Sequence, residues 1–276
     1  MLGVSFGFTS AFAWGSADLA GGFATRRSDQ FLVVALASLS GIVLLVALAV
    51  ATGEPTPSLR SSLWAVAAGI ATTLGLAALY RALSLGNVAT VAPTASVVGA
   101  VLPVLFAAFT EGLPSITQLA GFVLALLGIR LVTQSQTESS DVSRRGLVLA
   151  VMAGICFGCF FILIAQVEEG TVFTPLIVMR SAGFCLALLV LLFRGVGAPQ
   201  MRHTLMPFFS GVLDAGGTVF YLQAERFTRL DVATVLASLY PAATVLLAYT
   251  LLKESVSRTQ WLGVALCLGA VALIAV

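Results

Sequence analysis

Between Val4 and Val276 the chain reads as ten apolar stretches of roughly 20 residues, and the second five repeat the first five. A helix needs about that length to cross a hydrocarbon core about 30 Å thick. Inside a bilayer only helices and closed barrels satisfy their own backbone hydrogen bonds. These stretches are too long and too uniformly apolar for barrel strands. The sequence therefore predicts an all-α, polytopic membrane protein with ten transmembrane helices. Its spans cover about 4–23, 31–51, 61–81, 88–109, 116–133, 146–167, 173–193, 205–224, 231–251 and 259–276.

Composition limits what remains. Hydrophobic residues make up 59% of the chain and charged residues 9%, which leaves no room for a soluble domain of ordinary composition. A formal charge of +2, spread over short loops, gives no basic face for nucleic acid. Lipid is the expected surroundings, and no cofactor is expected. Cys156, Cys159, Cys185 and Cys267 all fall within apolar segments and read as packing residues. The Cys156-x-x-Cys159 spacing is that of a redox or metal pair, but no second ligand pair accompanies it. With one histidine, His203, in a polar loop, an intramembrane enzyme has no base or metal cluster to work with.

The duplication has a register. At an offset of 142 residues Gly69 matches Gly211, Gly75 matches Gly217, Ala82 matches Ala224 and Gly121 matches Gly263. At 143, Gly3 matches Gly146 and Gly15 matches Gly158. Ser115-x-x-Gln118 and Ser257-x-x-Gln260 also coincide, each a capping box opening an apolar helix. The halves are residues 1–133 and 146–276, joined by a polar linker at 134–145. Because five is odd, they enter the bilayer with opposite polarity and form two inverted five-helix repeats. That is the usual architecture of secondary transporters.

Ionisable groups at membrane depth are costly and mark function by default. Asp18, Arg180 and Asp214 lie well within predicted spans. Arg180 and Asp214 fall at similar depths on consecutive antiparallel helices, so an ion pair is expected, serving either to lock two helices or to line a substrate path. Asp18 has no equally obvious partner; a proton relay and a hydrogen-bonded neutral acid both fit it. Trp14, Tyr80, Phe157, Tyr221 and Tyr240 either line a cavity or pack against lipid and neighbours. Pro93 and Pro103 are expected to interrupt the fourth span and Pro241 the ninth, each freeing a carbonyl four residues earlier. Gly99 sits at that position for Pro103. Each proline is either a fixed kink or a gating hinge.

Several of these features together resemble the EamA-type transporters of the drug/metabolite transporter superfamily, along essentially the whole chain. They are Trp14-Gly15-Ser16, Ala82-Leu83-Ser84-Leu85-Gly86, Glu111 and Glu254 just before the capping boxes, Arg180, and Ser238-Leu239-Tyr240-Pro241. The resemblance implies a proton-linked or gradient-driven carrier or exporter of small metabolites. It also implies a central cavity between helices 1, 3, 4, 6, 8 and 9. A channel is the alternative, although inverted repeats argue for alternating access. Arginines and Lys253 concentrate in the odd-numbered loops, which places both termini outside, whereas the resemblance implies cytoplasmic termini.

Overall fold

A computed structural model describes residues 2–25, 28–85, 88–132, 144–168, 170–195, 205–252 and 256–274. They form helices and connecting turns, with no strand among the described residues. The first repeat contains α1 (Leu2–Thr25), α2 (Gln30–Thr52), α3 (Leu59–Leu85), α4 (Val88–Thr110) and α5 (Ile116–Val132). The second contains α6 (Arg144–Ile164), α7 (Phe173–Arg194), α8 (Leu205–Phe227), α9 (Leu230–Ala237), α10 (Tyr240–Leu252) and α11 (Arg258–Ile274). Helices α2, α3, α6, α7 and α8 each hold a stretch long and apolar enough to cross a membrane, and shorter apolar helices complete the set. Large apolar side chains such as Phe109, Val123, Leu192 and Phe193 stay exposed on the outside, as a lipid-facing surface requires.

Of the proline expectations, the break in the ninth span is seen and the break in the fourth is not. The ninth span is two helices, α9 and α10, separated at Ser238 and Leu239. Pro241 lies in the first turn of α10, where its missing N–H would have been unpaired in any case. The fourth span, by contrast, is one continuous helix through Pro93 and Pro103. Gly99 explains the tolerance at Pro103, because no side chain crowds the turn that the ring presses on. The linker expected at 134–145 falls largely outside the described residues.

Helix pairing follows the duplication. Helix α1 packs on α8 as α3 packs on α6, and α2 meets α8 as α7 meets α3. Helix α4 lies on α6 as the α9 and α10 pair lies on α1, while α2 with α7 and α5 with α11 pair across the pseudo-twofold axis. Gly3 sits against Phe227 and Thr228, whereas Ala17 accepts a hydrogen bond from Ser210, so α1 and α8 run antiparallel. The repeats are thus inverted.

Glycines hold the seam closed. A Cβ on Gly69 would run into the carbonyl of Met179 on α7, and one on Gly211 into the carbonyl of Ala37 on α2. Since 37 and 179 also differ by 142, these two close approaches are the same contact made twice. Both capping boxes form in full. The Ser115 hydroxyl accepts from Gln118 N at 3.2 Å while the Gln118 side chain accepts from Ser115 N at 3.0 Å. Ser257 and Gln260 repeat the exchange at 3.2 and 2.9 Å.

Candidate functional site

The middle of the bundle is built on the same symmetry. The Trp14 ring lies over Gly217, where a Cβ would come within 2.5 Å of the indole, and Phe157 lies over Gly75 at 2.8 Å. Small residues on α3 and α8 therefore admit one aromatic each from the opposite repeat. Gly15 and Gly158, next to those rings, press against the carbonyls of Tyr240 and Gly99. The signal was present in the sequence as glycine pairs; their aromatic partners belong to the other half of the chain.

Charge breaks the symmetry. Arg180 Nη1 meets Asp214 Oδ2 at 2.6 Å, so the expected ion pair exists. The Arg180 side chain is only 8% exposed while that of Asp214 is 42% exposed, which sets the cation behind the wall and the carboxylate in front. Nη2 of Arg180 also donates to Thr218 Oγ1 at 3.2 Å, and Thr218 donates to the Asp214 carbonyl at 2.9 Å. Trp14 Nε1 donates to that same carbonyl at 3.2 Å. Arg180 Nε has no acceptor among the described residues. At the repeat-related positions of Arg180 and Asp214 stand Ser38 and Thr72, so the first repeat carries no equivalent pair.

Asp18 completes the cluster on α1. It lies within electrostatic reach of both Asp214 and Tyr240, and it is exposed. No ion pair described in the molecule includes Asp18. Tyr240, in the first turn of α10, shares a 3.0 Å hydrogen bond with Ser96 of α4 and so ties the two fourth-position helices together.

The remaining sequence candidates fall into place around this wall. Tyr221 is fully buried, its hydroxyl 3.1 Å from Thr234 Oγ1, within an aromatic cluster of Trp14, Phe160 and Phe161. In this conformation it is packing. Trp14 is half-buried and bridges that cluster to Asp214. Phe157 fills the α3, α4 and α6 junction. Pro103 is buried. The side chains of Tyr80 and Pro93 lie outside the described residues.

Sequence reasoning missed Thr218 and Ser96, because a lone hydroxyl on an apolar helix carries no signal of its partner. It also missed a set of polar contacts on one end of the bundle. The Glu54 carboxylate accepts from the backbone N–H of Val172, Phe173 and Thr174 at 2.8, 3.1 and 2.9 Å and from the Thr174 hydroxyl at 2.9 Å. Arg229 donates to the carbonyls of Glu111 and Gly112 at 3.1 and 2.6 Å and pairs with buried Asp231 at 3.0 Å. Hydrogen bonding to Asp231 raises the Arg229 pKa above its ordinary value, so this guanidinium stays charged.

An inverted pair of five-helix repeats around a polar wall defines a membrane transporter fold. The profile of the EamA-like transporter family matches residues 1–134 and 144–276, and the chain belongs to that family. A solved structure titled "Crystal structure of protein" shares the fold, with a TM-score of 0.79 at 20% identity, over 98% of this chain and 95% of the other. No curated protein matches.

Proposed function

We propose that the protein is a secondary active transporter of the cell membrane that exports small metabolites by alternating access, with Asp18 carrying the coupling proton. The observation that carries this reading is the polar wall itself. Asp214, half-exposed, pairs with the buried guanidinium of Arg180, and a second, exposed carboxylate, Asp18, lies within electrostatic reach of Asp214 in a bundle that is otherwise apolar. Formal charges of the three sum to one negative. A group of that sign, inside a fold with two related halves, suits a site that alternates between a proton and cargo. Trp14 and Tyr240 flank it and supply apolar surface with hydrogen-bonding tips.

Purified protein in proteoliposomes, challenged with pooled metabolites under an imposed pH gradient, tests the reading. Saturable, gradient-driven accumulation and exchange of labelled cargo are expected. Asp18→Asn should keep exchange and lose acceleration by the gradient. Current that fails to saturate would instead mark a channel, and absence of any flux across a broad metabolite pool would count against transport.

A further inference from the structure

On the alternating-access reading, we propose that the end of the bundle bearing the α2–α3, α4–α5, α6–α7 and α8–α9 connections is a gate. It is held shut by two charged latches thrown in opposite directions between the repeats. Glu54, in the first repeat, seizes the first turn of α7 in the second through four hydrogen bonds of 2.8 to 3.1 Å. Those N–H groups have no partner within their own helix, and the helix dipole adds to their attraction for a carboxylate. Arg229, in the second repeat, reaches back to two carbonyls of the α4–α5 connection in the first. Its counter-ion Asp231 is fully buried and also accepts from Val232 N at 2.8 Å, which fixes the guanidinium in place. Between the latches, Ser61 Oγ of α3 accepts from Glu168 N at 3.2 Å. Repeat-to-repeat contacts therefore span this end of the seam from the α2 and α7 side to the α4 and α9 side.

Among the described residues, one ion pair joins the repeats at the other end. There α2 and α7 meet through Asp29 and Arg194 at 3.8 Å, with side chains 25% and 50% exposed. A pair so long and so wet contributes little. The duplication does not supply the latches twice: Val196 stands at the repeat-related position of Glu54, and Asn87 at that of Arg229. Opening at the latched end must release a carboxylate from a helix N-terminus and a guanidinium from two carbonyls.

Spin labels at Leu113→Cys and Glu168→Cys, on the full chain in nanodiscs with the native cysteines replaced by alanine, read the separation of the repeats at the latched end. A single short distance is expected in the parent. Glu54→Gln and Arg229→Gln should each raise a longer-distance population about tenfold, since a charge-assisted bond contributes about that factor or more. Arg194→Gln should leave this distance unchanged. An unchanged distribution in the folded Glu54→Gln/Arg229→Gln double variant would overturn the proposal. Should the double variant fail to fold, a bismaleimide cross-link between Thr56→Cys and Glu168→Cys gives a second test. Blocked transport is expected, and undiminished transport would refute the gate. The distances do not depend on flux, so a parent that transports nothing would fail the transporter reading and leave the latch measurement standing.

Discussion

Arg180 holds Asp214 at 2.6 Å with its own side chain almost wholly buried and the carboxylate nearly half exposed. The two charges are therefore not equivalent. Removing Asp214 strands a buried cation, at a cost of about 3 to 5 kcal/mol, whereas removing Arg180 leaves an anion that is itself partly exposed. Thermal unfolding followed by fluorescence-detected size exclusion should find Asp214→Leu more destabilised than Arg180→Met. The double variant should recover much of that loss while transport stays absent, because Asp18 is left without the polar pair beside it. Equal destabilisation by the two single changes would contradict the one-sided burial.

Glycine pairs make a second expectation. Gly69→Ala and Gly211→Ala each drive a methyl into a backbone carbonyl of the opposite repeat, and backbone yields less than a side chain. Both should lose at least about 1 to 3 kcal/mol, the usual range for overpacking. Gly216→Ala, with nothing within 4 Å, should be neutral or stabilising by up to about 1 kcal/mol. Melting temperatures of the three variants decide the matter; a Gly216→Ala loss as large as the others would reduce the glycines to a general helix effect.

Capping offers a third. Ser115→Ala and Ser257→Ala each remove the acceptor of one helical N–H and should cost about 0.5 to 2 kcal/mol. The two helices they open, α5 and α11, pack on each other but their caps lie at opposite ends of that antiparallel pair, so the losses should add. A denaturation series on the single and double variants measures this, and strong non-additivity would show that the caps communicate.

Legibility followed distance along the chain. Both capping boxes were readable because donor and acceptor lie three residues apart, and the spans because bilayer thickness sets a length that apolar runs must meet. The ion pair was readable for a related reason: consecutive antiparallel helices place Arg180 and Asp214 at comparable depth. Glu54 gave no such sign. Its partners lie at Val172 to Thr174, and a glutamate in a Gly-Glu-Pro loop looks like any solvated acid. Tyr221 was a candidate for the cavity by residue type alone, and only its packing against Trp14 and Phe161 places it in the core.

The prolines mark the boundary most clearly. By itself the sequence determined that the chain is all-helical, membrane-spanning and duplicated with inverted polarity, since those follow from apolar length, repeat register and the odd number of spans. It also determined where backbone donors are missing. Which of those defects becomes a break was decided by tertiary structure: α4 passes through Pro93 and Pro103 unbroken, while the ninth span divides just before Pro241. The same holds for the latches. Glu54 with Val172 to Thr174 and Arg229 with Glu111 and Gly112 are contacts between residues more than a hundred positions apart. Such contacts arise only when packing has brought the halves together.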